Sequence, residues 1–446
     1  MPSFLGVAQS CSLRSSAPPG PALLVFSHLR WDFVYQRPQH LLSRMAARHR
    51  IIFIEEPRVA GDAPPRWVKT SPHSGVNVWC AHLPAAWPPG ERAAGEQVLL
   101  RELLQAESLA GGGSGSGAAG VAERGRRHHS ILSSPPWRGE AHPRQHDYIV
   151  WMYTPMAMPL ARLLSPRAVV YDCMDELAAF AGAPPELPQR EGELLAWADL
   201  VFTGGRSLYE AKRGRASRVY CLPSSVDAAH FRRRPPRREP PDQRDIPRPR
   251  LGFYGVLDER LDLDIIAGLA ARRPEWQLIF IGPVAKIDPA SLPRAANLHY
   301  LGQRSYEVLP GYLHGWDLCL LPFACNAATR YISPTKILEY MAAEVPIVST
   351  PIRDVARPYG EIVYLAETAD EFVAAAERAL RAAPEERWQR LTGMRQVLAR
   401  TSWDTTVAEM ERLLDGVLHE TGLETISTAT PQRGSLQLPA DALGTP

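Results

Sequence analysis

The sequence predicts an α/β protein of two doubly wound domains facing a cleft. Three observations carry this expectation. Short continuous apolar runs, such as Ala22 to Ser27 and Leu318 to Leu321, have the character of strands buried on both faces of a parallel sheet. Such runs alternate with helix-length amphipathic stretches twice over, before and after a charged, Pro-rich segment at 232–250. The chain has 446 residues, too many for one core.

In order, residues 1–20 are rich in Ser, Pro and small side chains and read as a loose leader. A strand at Ala22 to Ser27 opens the first domain, followed by the loop HLRWDFVYQRPQH, which carries His28, Arg30, Trp31, Asp32, Tyr35, Gln36, Arg37 and His40. A helix from about Pro38 to Arg48 and a strand at Ile51 to Glu55 complete the first unit. In this architecture ligands bind beyond the carboxyl ends of the strands. A strand at Val76 to Ala81 and a helix at Gln97 to Ala106 come next. A flexible Gly/Ser-rich and basic insertion then spans about 107–145. Strands follow at Tyr148 to Met152, Ala168 to Tyr171, Leu200 to Thr203 and Val219 to Leu222. Helices lie between them after Pro155, from Pro188 to Ala198 and from Ser207 to Lys212. The first domain is thus placed at 21–231 and the linker at 232–249.

The second domain, 250–402, repeats the pattern. Strands are expected at Leu251 to Tyr254, Gln277 to Ile281, Leu298 to Leu301, Leu318 to Leu321 and Val345 to Thr350. Helices are expected at Leu263 to Arg272, Tyr306 to Leu313, Thr335 to Ala343 and Glu371 to Ala382. A last helix covers 403–419, and 420–446 reads as a disordered tail.

The composition, 45% hydrophobic and 22% charged, is that of a globular protein. A formal net charge of +2 argues against a dedicated nucleic-acid binder. The six cysteines form no CxxC pair and no zinc-like spacing, and most lie in apolar runs, which suits a reducing, cytoplasmic compartment. No apolar run of about 18 residues and no secretory leader is evident.

Two stretches carry candidate chemistry. In Arg330 to Thr350, Ser333 suits an N-cap and Pro334 the first helical position. A helix start there would point N–H groups and Lys336 at a phosphate, with Glu339 one turn on, placed to accept hydrogen bonds from a ribose diol. The bland alternative is an exposed Lys–Glu pair of little energetic weight. In Asp172-Cys173-Met174-Asp175-Glu176, three carboxylates follow a strand. Asp175 is the expected general base, with Asp172 and Glu176 as neighbours able to raise its pKa; the alternative is a helix cap. His28, Arg30 and Gln36 are candidate binding residues of the first-domain loop, since loop residues are enriched in function, whereas His40 reads as structural.

The segments HLRWDFVYQRPQHLLSRMA, VYDCMDE, LPSSVD, FYGVLDERLDLDII and TRYISPTKILEYMAAEVPIVSTPI run in one order and cover most of residues 21–418. Together they resemble the GT-B glycosyltransferases, specifically the family-four-like (group 1) bacterial enzymes of polysaccharide and glycolipid assembly. The resemblance implies two Rossmann-like domains, with the helix from Ser402-Trp403-Asp404 crossing back to the first. It also implies a nucleoside-diphosphate-sugar donor held by Gly255, Arg260, Ser333, Thr335, Lys336 and Glu339. The acceptor would be a saccharide or lipid-linked, implying peripheral membrane contact at the inner face. No metal and no cofactor beyond the donor substrate is implied. Two departures stand out. Tyr331 occupies the place where many relatives carry a first glutamate, leaving the sugar and the stereochemical course open, and Glu344 stands where relatives favour glycine. Rival readings are a nucleotide-sugar epimerase of the same fold and a non-catalytic sugar-nucleotide-binding subunit. A dinucleotide oxidoreductase is disfavoured, because no GxGxxG follows either opening strand.

Overall fold

A computed structural model describes residues 20–110, 147–232 and 239–427. The expected leader, most of the 107–145 insertion and the end of the tail lie outside the described residues.

Two parallel sheets organise the chain. The first contains β1 (Gly20–Ser27), β2 (His49–Val59), β3 (Arg66–His73), β4 (Val76–Leu83), β5 (Tyr148–Met152), β6 (Val169–Cys173), β7 (Leu200–Thr203) and β8 (Val219–Cys221). Their order is β3-β4-β2-β1-β5-β6-β7-β8. Every pairing is parallel except β3 with β4. Along β1 the side chains alternate: Leu23 and Val25 join one apolar cluster, Leu24 and Phe26 another on the opposite face. Continuous hydrophobicity therefore marks a strand covered on both sides. The antiparallel edge strand β3 escapes this reading because Arg66–His73 is almost wholly exposed.

The second sheet contains β9 (Arg250–Tyr254), β10 (Gln277–Ile281), β11 (Leu298–Gly302), β12 (Leu318–Leu321), β13 (Ile347–Ser349) and β14 (Tyr364–Leu365), in the order β11-β10-β9-β12-β13-β14. Pro346 stands just before β13, where it has no ladder N–H to give, and its carbonyl accepts from Cys319 N at 2.8 Å. Helices Arg353–Tyr359 and Pro384–Leu398 complete this half and were not expected from the sequence. The described residues of the expected linker, from 239 on, include a short helix. Helix Pro241–Arg244 buries Gln243, which donates to Tyr312 O at 2.9 Å and accepts from Trp316 Nε1 at 2.7 Å.

The final helix runs Trp403–Ser427, past the expected end at 419. Trp403, Val407, Met410, Leu413, Leu414 and Val417 pack into the cluster that holds Leu23, Val25, Ile51 and Phe53 of the first sheet. Arg44 to Asp404 at 2.8 Å and Arg48 to Asp415 at 2.6 Å flank that seam. The helix thus crosses back to the first domain.

Glu344 adopts φ 58°, the left-handed position just past helix Lys336–Ala342, where glycine is normally used. Arg395 holds its carboxylate at 2.8 Å.

Candidate functional site

The carboxyl ends of the two sheets meet across a cleft. On the side of the second sheet, β9 ends at Tyr254 and the chain turns at Gly255, with φ 141°. A Cβ there would collide with Lys336 Cε and stand 2.7 Å from its Nζ, so glycine is what lets the lysine lie across the turn. Lys336 is half-buried, and its ammonium lies 5.6 Å from the centre of the Phe253 ring. Burial and then the Arg260 charge push its pKa down to about 8, against the pull of Glu339, Asp258 and Asp175. Among the described residues its ammonium forms no salt bridge.

Glu339 is buried and accepts from Tyr254 Oη at 2.6 Å. Burial raises its pKa, while the Tyr254 hydrogen bond and Lys336 draw it back. Arg260 is clamped by Asp258, through Nε at 3.0 Å and NH2 at 2.6 Å, which fixes the guanidinium toward the cleft. Ser333 belongs to a contact between the halves: a Cβ on Gly205 would come 2.8 Å from Ser333 Cβ. Next to it, Ser207 N donates to Asp354 at 3.1 Å. The helix begins at Lys336 with Thr335 as its N-cap, lacking a side-chain cap bond. The expected start at Ser333-Pro334 is therefore corrected by two residues. Pro334 disfavours the helical region for Ser333, and it instead closes a turn in which Ile337 N donates to Pro334 O at 3.2 Å.

From the first sheet, only one of the three clustered carboxylates reaches the cleft. Asp172 is fully buried against Arg37, at 3.0 and 3.1 Å from Nε. Glu176 pairs with Lys212 at 2.7 Å, and Lys212 with Glu191 at 2.7 Å. Asp175 faces the other domain. Burial raises its pKa; the charges of Arg260, Lys286 and Lys336 lower it, and Asp258 raises it. The expected neighbours Asp172 and Glu176 are not what shifts it, since each is tied to its own cation.

Phe180, also from the first domain, lies under two cations of the second: Lys286 Nζ at 4.4 Å and the Arg260 guanidinium at 5.6 Å from the ring centre. His28 joins this wall. Burial pushes its pKa down to about 4, with the Tyr153 backbone opposing and Lys286 adding to the fall, so the ring is neutral. Its Nδ1 is buried without a partner. Arg30 turns away from the cleft to Glu55 at 2.9 Å, Glu56 O at 2.6 Å and Cys80 Sγ at 3.1 Å. Gln36 precedes helix Arg37–Met45, and its N–H donates to Gln39 Oε1 at 3.1 Å. The structure thus brings together Asp175, His28, Gly255, Arg260, Lys336 and Glu339, and gives Arg30 and Gln36 local duties.

Tyr254, Asp258, Glu259, Phe180 and Lys286 belong to the site but were missed as site residues. Tyr254 is masked by its apolar strand. Lys286 sits at φ 62°, a backbone feature that sequence does not announce. Tyr331 packs against the first domain's core with Arg330 over its ring at 5.4 Å, so no carboxylate comes from that position.

One end of the cleft is closed by rings from every part of the chain. Tyr306 stacks on Tyr35 at 4.6 Å and on His230 at 4.3 Å, and His40 stacks on Trp403 at 4.7 Å. A 400 Å³ cavity at the ends of β1, β2 and β5 is lined by Phe26, Ile54, Trp67, Glu56 and Glu96. Burial and the nearby Glu56 charge raise Glu96 to about 7.

Residues 248–382 match the family described as "Glycosyl transferases group 1". The chain is 26% identical over 275 residues to TuaH of Bacillus subtilis (strain 168), a glycosyltransferase provisionally assigned to teichuronic acid biosynthesis. That match covers 56% of this chain and 68% of the relative. Among solved structures, sucrose-phosphate synthase of Thermosynechococcus elongatus superposes with a TM-score of 0.60 at 14% identity, over 90% of this chain and 100% of that one. Anabaena HepE in complex with UDP and glucose gives a TM-score of 0.58 at 11% identity, over 89% and 99%. Among the described residues no helix is long and apolar enough to cross a membrane.

Proposed function

We propose that the chain, whose fold is GT-B, is a group 1 glycosyltransferase that transfers a sugar from a nucleoside-diphosphate sugar to a saccharide or lipid-linked acceptor in cell-surface polysaccharide synthesis. The carrying observation is Lys336, a half-buried ammonium with a depressed pKa, without an ion pair among the described residues, set over a glycine turn beside Arg260. An ammonium outside any ion pair, beside a guanidinium that Asp258 holds in place, is a receptor for a diphosphate. In the reaction they offset the charge that grows on the departing nucleoside diphosphate, so the transfer is metal-independent. Glu339, held by Tyr254, accepts the ribose hydroxyls. Asp175, its pKa raised by burial, takes the proton of the acceptor hydroxyl, and neutral His28 borders the acceptor. The TuaH relationship supports the polysaccharide setting, and HepE, of the same fold, binds UDP and glucose.

The test is a thermal-shift and turnover screen against UDP-, GDP- and dTDP-sugars. A ligand that binds only the folded state raises its melting temperature. One donor is expected to shift the wild type and to fail with Lys336→Met and with Glu339→Gln. Conversion of donor alone to an isomer would identify an epimerase, and binding without turnover a non-catalytic subunit.

A further inference from the structure

The loop that follows β9 carries Asp258, Glu259 and Arg260 in succession, and their surroundings differ. Asp258 is consumed by Arg260 through a two-point clamp. Glu259 has both carboxylate oxygens buried and, among the described residues, without a hydrogen-bond partner. Its nearest cation is Lys286 Nζ, at 3.9 Å, beyond hydrogen-bond reach. A buried carboxylate whose lone pairs are unused is costly and is normally paired.

Its position says what completes it. Arg260, the next residue, and Lys286, its ion-pair neighbour, both stand over Phe180 of the first domain. Both also act on Asp175. Glu259 is therefore set next to the two cations that stand over Phe180, at the border between the second domain and the first. A phosphate is repelled by a carboxylate, whereas vicinal hydroxyl groups donate to one.

We infer that Glu259 accepts hydrogen bonds from hydroxyl groups of the sugar carried by the donor, and so is a specificity-determining residue at the sugar end of the cleft. This rests on the donor site proposed above, in which Lys336 and Arg260 hold the diphosphate. Lys286, fixed by its left-handed backbone and its ring contact, keeps the carboxylate oriented without occupying its acceptor sites.

The test separates the sugar from the nucleotide. Affinities of the full chain for the matching nucleoside diphosphate and for its sugar conjugate, taken from the donor panel, are measured by calorimetry in wild type, Glu259→Gln and Glu259→Ala. The inference expects the nucleoside diphosphate to bind all three within about twofold. The sugar conjugate is expected to lose roughly ten- to hundredfold in Glu259→Ala, the range of a hydrogen bond to a charged group, and less in Glu259→Gln. Melting of the unliganded variants is expected to match or exceed wild type, because no protein hydrogen bond is removed; a purely structural role would lower it. Equal sugar-conjugate affinity in all three proteins overturns the inference while leaving the donor site standing. If no sugar nucleotide or nucleoside diphosphate binds folded wild type, the donor-site reading fails and this inference with it.

Discussion

Arg37 and Lys336 each open a helix at the carboxyl end of a parallel sheet, one in each half of the molecule. Arg37 is 1% exposed, doubly hydrogen-bonded to the equally buried Asp172, and it donates to Leu222 O at 2.8 Å. Lys336 lies over a glycine turn and, among the described residues, is in no ion pair. Similar halves thus treat equivalent cations in opposite ways. The first is ion-paired within its own chain and serves the fold; the second has no such partner among the described residues and awaits an anion. Incomplete electrostatic satisfaction, rather than the presence of charge, marks where a ligand belongs.

The comparison breaks most visibly in stability. Arg37→Leu strands Asp172 in the core, and denaturant unfolding is expected to show a loss of about 3–5 kcal/mol. Lys336→Met removes an unpaired, partly desolvated charge, so the unliganded protein is expected to unfold no more easily than wild type. Its donor-dependent turnover is expected to fall on the order of 10²–10³-fold, the scale of losing one electrostatic stabiliser of the leaving group. If both variants are equally destabilised, the contrast is wrong.

A smaller effect sharpens it. With its pKa at about 8, the free protein surrenders the Lys336 proton as pH rises through that value. kcat/KM, which reports the free enzyme, is then expected to decline above about pH 8, and Lys336→Arg to carry the decline beyond the accessible range. The sign for stability is opposite. The folded pKa lies below the unfolded one, so the unfolded chain binds the proton more tightly, and this group's contribution to unliganded stability rises from about pH 8 toward the usual lysine value. Tyr254→Phe removes one hydrogen bond to Glu339, and donor affinity is expected to weaken by about 1–2 kcal/mol. Smallest of all, Glu344→Gly relieves a left-handed non-glycine residue but forfeits the exposed Arg395 pair. A change within roughly 1 kcal/mol in thermal unfolding is expected.

The parallel strands were readable because burial on both faces leaves an unbroken apolar run, as in Leu23 to Phe26. Edge strand β3 and helix Pro384–Leu398 were not readable: their faces are mostly polar, and context rather than pattern makes them regular. In the site, Lys336, Glu339 and Gly255 were legible through the SPTK segment and the glycine turn. Among the described residues, Asp175 alone of its cluster is left unpaired by the neighbouring cations, and the sequence hides why, because pairing of Asp172 with Arg37 and of Glu176 with Lys212 is a long-range fact. Arg30 looked available in a polar loop, yet it is held by Glu55, which lies on the neighbouring strand. Glu259 and Lys286 reveal themselves only through missing partners and backbone conformation, which one-dimensional spacing does not encode.

The last helix supplies part of the wall of the first core, with Trp403 and Met410 against Leu23 and Phe53. A chain made from its N-terminus therefore cannot seal that core while the ribosome is still producing the second half. At roughly 5–20 residues per second the wait is on the order of ten seconds or more. During that time the apolar face of the first sheet stands open in the nascent protein, the period in which a chaperone has most to shield. Removal of the last few turns would leave the same surface bare for the life of the molecule.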